Sequence, residues 1–556
     1  IQVQIELEPE QETELVCILG QTDSDEEAVR IVRTYRENLA VHASLESTRS
    51  WWDEILGTIQ VDSPELSMDF LLNRWLLYQS LSCRIWGRSA FYQSGGAIGF
   101  RDQLQDMMAF LYTMPSIARE HLLLAASRQF REGDVQHWWH PPSGAGIRSR
   151  ISDDLLWLPY VTAQYVRVTG DEAILSEKIQ FLEARQLEEG EHEVFLVPDV
   201  TVERASLFEH CRRALERGLT EGPRGLPLIG AGDWNDGLNR VGADGRGESV
   251  WLAWFLVDVL HRMADLADRV GEGDLKVQYL ERAQILAERI EQEAWDGDWY
   301  IRATFDDGTP LGSSMNEEAR IDSLPQSWAW LSGAANPERA SIALESAWRQ
   351  LVREEDKLVL LFTPPFDKSH RNPGYIKGYP PGVRENGGQY THGSLWFAMA
   401  MARKGDGDRA ARLLRMMNPI EQTKESENVW RYRVEPYVVT ADVYHLQGRV
   451  GQGGWSWYTG SAAWMYRVWL EEILGFRLEG ERLYLDPVIP GWWDGFTLTY
   501  RYGEAAYSIE IQNPDHVERG VRSLEMDGRP IEDGIILLKS DPVKHRISLV
   551  LGEESS

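Results

Sequence analysis

The chain has 556 residues, with 57 Lys or Arg against 87 Asp or Glu, so its formal net charge is −30. So acidic a chain repels phosphate backbones, which excludes nucleic acid as its main partner but leaves room for a local basic pocket that holds a small anion. The apolar content of 43% is that of globular domains and excludes wholesale disorder.

Cysteine usage and hydropathy bound the cellular context. Cys17, Cys83 and Cys211 are too few and too far apart for a disulfide framework or a Cys-type zinc site. No apolar run is long enough to cross a bilayer, and the first residues do not have the pattern of a signal peptide. We therefore expect no membrane contact by this chain itself and a cytoplasmic location. The chain opens without Met in a strand-like pattern, which is typical of a fragment.

Apolar periodicity predicts the elements in chain order. Alternation predicts strands over residues 1–20, and Ser24 offers an N-cap to a helix over 26–39. From about 64 to 474 the spacing is helical. The predicted helices cover 64–86, 101–112, 116–130, 152–169, 203–218, 249–270, 275–295, 337–352, 389–404, 409–417 and 460–474. About a dozen helices joined by loops are typical of an α/α toroid.

Alternation returns after residue 476 and predicts a C-terminal β-domain. Its expected strands cover 482–485, 496–502, 505–512 and 545–551. Between the helices lie long loops rich in Gly and Trp, at 131–151, 220–248, 362–388 and 448–459. Loops of this length in a compact domain usually carry function.

The loop 232–237, with sequence GDWNDG, combines two carboxylates with an indole. Cleavage of a glycosidic bond needs an acid that protonates the leaving oxygen, and a carboxyl beside Trp234 would have the raised pKa that this role requires. The competing interpretation is a structural Asx-turn. A calcium loop is excluded because Gly237 stands where the third ligand should be.

Further stretches carry polar groups that could bind a ligand. In GFRDQLQD (99–106) Arg101 and Asp106 can clamp sugar hydroxyls, or form a simple ion pair. Glycines before the last predicted helix make an anion cradle to which Thr459 could add a hydroxyl and His392 a ring nitrogen, unless Thr459 only caps the helix. HWWHPP (137–142) suits a sugar platform or plain loop packing; no third ligand at the right spacing supports a metal site.

Taken together, these stretches resemble the inverting glycoside phosphorylases of glycoside hydrolase family 94. The matching segments are GFRDQLQD (99–106), GDWNDGLNRVG (232–242), YPPGVRENGGQYTH (379–392) and WYTGSAAWMYR (457–467). RSAFYQSGG (88–96) and the run from 132 to 160 are most similar to the phosphorylase-like region of cyclic β-1,2-glucan synthases. The resemblance covers about residues 20–556.

The resemblance implies a mainly α fold. It comprises remnant strands of an N-terminal β-sandwich (1–20), a helical linker (21–62), an (α/α)6 catalytic barrel (63–475) and a C-terminal β-domain (476–556). It also implies residue roles: Asp236 as general acid, a set that holds the sugar, and a set that holds phosphate. The sugar set is Arg101, Asp106, Trp234 and Glu385. The phosphate set is Arg88, His392, Thr459 and Gly460.

The expected reaction is inverting phosphorolysis of β-linked gluco-oligosaccharides, β-1,2-linked ones above all, to α-glucose 1-phosphate. Inorganic phosphate is the co-substrate, and no cofactor or metal is expected. Two alternatives stay open: an inverting hydrolase on the same barrel, and a non-catalytic glycan-binding domain of a larger, membrane-associated cyclic glucan synthase. Whether the chain forms a homodimer also stays open. In the family an N-terminal β-sandwich supports the dimer, and that sandwich is almost absent here.

Overall fold

The computed structural model describes residues 2–88 and 95–552, and these form two compact units, Ile1–Thr58 and Ile59–Ser556. None of the helices in this described part has both the length and the apolar character that crossing a bilayer requires. The motif at 88–96 lies mostly outside the described residues.

The first unit contains two helices, Asp25–Thr34 and Asn38–Leu56. Ser24 caps the first as predicted, since its hydroxyl accepts a hydrogen bond from the amide of Glu27. The prediction of a single helix over 26–39 is wrong, because the first helix ends at Thr34 and the second begins at Asn38. The strands predicted in 1–20 are also wrong for 2–20, which form none. A strand needs a hydrogen-bonded neighbour, and alternation alone does not supply one.

The second unit is mainly helical up to residue 473, as predicted. Its longer helices are Phe100–Met107, Pro115–Ala126, Trp157–Thr169, Leu207–Gly218, Val250–Arg269, Gly273–Glu293, Ser323–Leu331, Pro337–Leu351, Thr391–Lys404 and Gly407–Met417. Residues 66–86 and 461–473 form continuous helical stretches that include π-helical turns. The helix Ser323–Leu331 was missed.

The helical core is built around one tryptophan. Trp396 packs against Trp157, Trp251, Trp328 and Trp464 at ring-centroid distances of 6.3, 6.0, 5.3 and 5.7 Å. Each of these rings comes from a different helix, and all five are buried. Large aromatic rings supply much apolar area per side chain, so this cluster ties five helices together at one point.

The strands predicted after residue 476 are present, within the same compact unit as the helices. A six-stranded sheet has the order Ile59–Asp62, Gly495–Tyr502, Ala505–Gln512, Lys544–Leu551, Val521–Met526 and Arg529–Pro530. A second sheet joins Phe476–Glu479, Arg482–Leu485 and Ile536–Leu537. The edge strand Ile59–Asp62 pairs with Gly495–Tyr502 in the register Ile59 to Tyr500. Residues 59–62, assigned to a helical linker, therefore belong to this sheet.

Further strands occur where the sequence predicted loops or helix. A four-stranded antiparallel sheet has the order Ile98–Gly99, Gln136–His140, Ala145–Ser149 and Glu193–Leu196. Lys178–Glu183 pairs with Asp199–Ser206, so the helix predicted from 203 begins only at Leu207. The remaining strands are two residues long: Glu248–Ser249, Ala303–Thr304, Pro310–Leu311, Ile321–Asp322, Val352–Arg353, Leu358–Val359, Phe362–Thr363, Gln389–Tyr390 and Asp442–Val443.

Candidate active site

A cavity of about 530 Å³ lies where the N-terminal ends of several helices meet the long loops. Seven of the predicted site residues line it. They are Arg101, Trp234, Asp236, Glu385, His392, Thr459 and Gly460. The sequence places these residues in four separate motifs, and the fold brings them to one space.

The loop that carries Asp236 is anchored by a buried ion pair. Arg302 makes two hydrogen bonds to the carboxylate of Asp233, at 2.7 and 2.6 Å, and both side chains are at most 1% exposed. Asp233 also accepts a hydrogen bond from the amide of Asn235 and one from the hydroxyl of Ser249. Burial alone would raise the pKa of Asp233, but Arg302 and these donors outweigh it and hold that pKa below its ordinary value. These contacts therefore hold the loop that carries Asp236 in place.

Arg101 fixes Asp236 from the side. Its guanidinium donates to Oδ1 of Asp236 and to Asp153, each at 2.6 Å, and to the backbone carbonyls of Asp233 and Trp234. Arg101 is buried, whereas the side chain of Asp236 is 33% exposed. Because Arg101 occupies Oδ1, the second oxygen, Oδ2, is the one left for a ligand in the cavity.

A histidine approaches that second oxygen. Nε2 of His137 lies 3.8 Å from Oδ2 of Asp236, and Nδ1 lies 2.8 Å from the carboxylate of Asp154. Burial disfavours the charged ring, but Asp154 and then Asp236 outweigh it and raise the pKa of His137 to about 9. The candidate acid therefore faces an imidazolium near neutral pH.

Hydrogen bonding fixes the tautomer of His392. The indole N–H of Trp464 can only donate, and it reaches an atom of the Gln105 amide at 3.0 Å, so that atom is the oxygen Oε1. Nε2 of His392 lies 3.1 Å from the same oxygen and must therefore carry the proton. Burial lowers the pKa of His392 to about 3, so the ring is neutral and its Nδ1 has a free lone pair.

Nδ1 of His392 lies beside Gly460, which lines the cavity. A Cβ at position 460 would stand 3.4 Å from this nitrogen and 3.3 Å from Oδ1 of Asp106. Asp106 is wholly buried beneath the cavity, and no described residue donates a hydrogen bond to its Oδ1. Burial raises its pKa to about 6, although Arg84 opposes this shift. A side chain at 460 would therefore crowd both of these acceptor atoms.

Arg84 is the arginine that reaches this wall. Its Nε donates to Oδ2 of Asp106 at 2.7 Å, and its guanidinium lies 4.2 Å from the ring centre of Tyr458. Arg88, the residue predicted from the sequence, does not line the cavity. Its guanidinium donates instead to the backbone carbonyls of Gly96, Ile85 and Trp86. The two arginines are four positions apart in sequence, but the helical stretch ends at Trp86 and Arg88 has a φ of 47°, so its side chain does not follow that of Arg84.

Thr459 lies one residue before Gly460, the N-cap of the helix Ser461–Arg467, so it is not the N-cap itself. Its Oγ1 nevertheless accepts a hydrogen bond from the amide of Ser461 at 3.2 Å and lies 2.8 Å from the hydroxyl of that residue. It also lines the cavity, so this contact and ligand contact are compatible at Thr459.

Trp234 and Glu385 complete the site. The Trp234 ring packs against Tyr390, His392 and Trp396 at 5.4, 5.1 and 4.9 Å, which joins the site to the helical core. Glu385 is buried deeply enough that its pKa is raised, and its Oε2 lies 3.5 Å from Nε of Arg384 without a hydrogen bond from any described residue. A buried acceptor of this kind suits a hydroxyl donor from a ligand.

The site residues assigned from the sequence did not include those that hold the others in place, namely Arg84, Gln105, His137, Asp153, Arg302 and Arg384, although His137 was noted within the loop 137–142. A signal existed for two of them. Arg84 and Arg302 interrupt otherwise apolar stretches, SLSCRIW and WYIRAT, and an arginine in a buried segment needs a partner. The partners themselves lie far away in sequence and could not be read from it.

Comparison with known proteins identifies the family of this chain. Residues 51–475 match the catalytic domain of the glycosyl hydrolase 94 superfamily. The chain belongs to this family. The family resemblance carried by the four motifs is thereby confirmed.

Two relatives and one solved structure are similar to this chain over most of its length. Cyclic β-(1,2)-glucan synthase NdvB of Rhizobium meliloti is 46% identical over 90% of this chain but only 18% of its own length. N,N'-diacetylchitobiose phosphorylase of Vibrio proteolyticus is 29% identical over 99% of this chain and 69% of its own length. The GH78 family rhamnosidase of Bacillus sp. GL1 has a TM-score of 0.53 at 14% identity, covering 83% of this chain and 43% of that one. The last likeness concerns the fold alone.

Proposed function

We propose that this glycosyl hydrolase 94 chain catalyses the inverting phosphorolysis of β-linked gluco-oligosaccharides, with Asp236 as general acid and inorganic phosphate as nucleophile. β-1,2-linked chains are the favoured substrates, and no cofactor or metal takes part. Two relatives support the proposal: NdvB bears the name of a cyclic β-(1,2)-glucan synthase, and the Vibrio protein that of a phosphorylase. The catalytic domain is proposed to be an (α/α)6 barrel whose inner helices meet at Trp396.

One observation carries the proposal: Asp236 and the set Arg84, His392, Thr459 and Gly460 line one and the same cavity. An inverting hydrolase needs a second carboxylate that activates water on the opposite face of the sugar, and Asp102 and Glu385 also line this cavity, so the assay below has to separate the two reactions. A phosphorylase needs only groups that hold an anion there. A positively charged guanidinium, a hydroxyl and a glycine-flanked turn are such groups.

The acid side of the reaction follows from Arg101. Because Arg101 donates to Oδ1 of Asp236, Oδ2 is the oxygen placed to carry the transferable proton. Oδ2 gives this proton to the glycosidic oxygen as the bond between that oxygen and the anomeric carbon breaks. The leaving sugar departs with a new hydroxyl group. Arg101 then stabilises the carboxylate that remains.

The phosphate side follows from Arg84 and His392. A phosphate oxygen attacks the anomeric carbon from the face opposite the leaving group, so a β-glucoside gives α-glucose 1-phosphate. Arg84 supplies positive charge to the anion. Because Nδ1 of His392 has a lone pair, it accepts a hydrogen bond from the protonated oxygen of hydrogen phosphate instead of donating one.

An assay for sugar 1-phosphate tests the proposal. The purified chain should release glucose 1-phosphate from β-1,2-gluco-oligosaccharides only when phosphate is present. Asp236→Asn should abolish the release, while Asp244→Asn, on the exposed neighbouring loop, should leave it unchanged. Free glucose formed at a rate indifferent to phosphate would show a hydrolase instead. Sugar binding without turnover would show a glycan-binding domain.

A further inference from the structure

One face of the four-stranded sheet beside the cavity is apolar where solvent-facing residues are expected. Trp138, Ile147 and Phe195 are cross-strand neighbours in one row, since Trp138 pairs with Ile147 and Ile147 pairs with Phe195. The alternate residues Trp139 and Arg148 are buried on the opposite face. In an antiparallel sheet with one buried face, the outward row is normally polar. Here it presents rings and a branched aliphatic side chain.

This row begins inside the candidate active site. Gly99 pairs with Trp138, and both line the cavity that contains Asp236. His140, which follows Trp138 on the same face of the strand, also lines it. Two strand spacings of about 4.8 Å separate Trp138, which lines the cavity, from Phe195, so the row extends roughly 10 Å beyond the cavity wall.

The rings along the row are in contact with one another. The centroid of Trp138 lies 5.2 Å from that of His140 and 6.0 Å from that of Phe195. Phe195 is 58% exposed, although a phenyl ring normally buries most of its area. The apolar surface is thus continuous from the cavity to the edge strand, and its outer end is open.

We propose that this row, Trp138, Ile147 and Phe195, is a binding platform for the part of a glucan chain that extends beyond the linkage being cleaved. The inference rests on the proposed function, because it assumes an oligosaccharide in the cavity. The faces of pyranose rings carry C–H groups and stack on aromatic rings, while their hydroxyls remain in water. A neutral sugar also suits a surface without charged side chains in the row. Chain length would then be sensed by Phe195, far from the reacting atoms.

The experiment compares long and short substrates. Phe195→Ala should lower kcat/KM for β-1,2-gluco-oligosaccharides of five or more units roughly tenfold, and leave the disaccharide unchanged, because only long chains reach the ring. Phe195→Tyr should retain the wild-type preference. Val202→Ala, a change at a 94% exposed apolar residue outside the row, is the matched control and should alter neither substrate.

A binding measurement keeps this test separate from the proposed function. Calorimetry of the Asp236→Asn variant with a long β-1,2-gluco-oligosaccharide needs no turnover, and Phe195→Ala in that background should weaken binding by a similar factor. If Phe195→Ala weakens this binding but the wild-type chain performs no phosphorolysis, the platform is supported and the proposed reaction is rejected. Equal losses for long and short sugars, or no loss with either, would overturn the platform.

Discussion

The ion pair between Asp233 and Arg302 makes a strong prediction about the catalytic loop. Replacing Arg302 by Met keeps much of the side-chain volume but leaves the carboxylate of Asp233 buried without its cation. The two hydrogen bonds lost to Asp233 are 2.7 and 2.6 Å long, and the two side chains are 1% and 0% exposed. Removing one partner of such a buried pair costs about 3–5 kcal/mol.

The matched control is an exposed pair of the same type. Arg412 and Glu354 are 2.9 Å apart, but their side chains are 59% and 52% exposed. Arg412→Met should therefore cost at most about 1 kcal/mol. Urea unfolding followed by tryptophan fluorescence gives both free energies of unfolding, provided that one transition is observed.

A double variant separates the lost pair from lost packing. Asp233→Asn combined with Arg302→Met removes the uncompensated charge of Asp233, although Asp322, 3.4 Å from Arg302, still loses its neighbouring cation. The double variant should therefore be more stable than Arg302→Met alone. We also expect Arg302→Met to lower kcat, because the same pair anchors the loop that presents Asp236. If Arg302→Met is no less stable than Arg412→Met, the buried pair does not fix the loop and the reasoning fails.

The remaining predictions concern the walls of the cavity. Gln105→Glu places a carboxylate beside His392, which should raise the pKa of the ring. A new ionisation should then be seen in the pH profile of KM for phosphate. An unchanged profile would contradict the tautomer assignment. Gly460→Ala should raise KM for phosphate about tenfold or more through crowding, with little change in unfolding free energy because the φ of −66° suits any residue. His137 has a raised pKa of about 9 against an ordinary 6.5, so its stabilising charge is fully present below pH 6.5 and is lost as the pH rises through 9. Urea unfolding across this range should thus show a steeper loss of stability in the wild type than in His137→Gln, and parallel curves would refute the assigned pair with Asp154.

Local patterns were sufficient for most of the helical region. The start of the helix Pro337–Leu351 follows from the Asn-Pro pair, and its boundaries differ from the prediction by one residue. Strand Ala505–Gln512 was predicted with its observed bounds. These features depend on capping residues and on a period of 3.6 or 2, which a short window contains. The residues lining the cavity were found because their motifs resemble a family, and spacing alone left each motif ambiguous.

Elements that depend on distant partners could not be predicted in this way. The helix predicted from 203 starts later than predicted, because 199–206 pairs with 178–183. A β-ladder outweighs a weak local helical preference. Ile59–Asp62 became a strand only because Gly495–Tyr502, more than 400 positions away, offers it an edge.

The sequence by itself determined the helical register, the loop with its two carboxylates and the family to which the chain belongs. Tertiary structure alone decided that Arg84 and not Arg88 reaches the cavity, and that the proton of His392 lies on Nε2. Both outcomes depend on buried polar groups that must find partners, and those partners come from segments that only folding brings together.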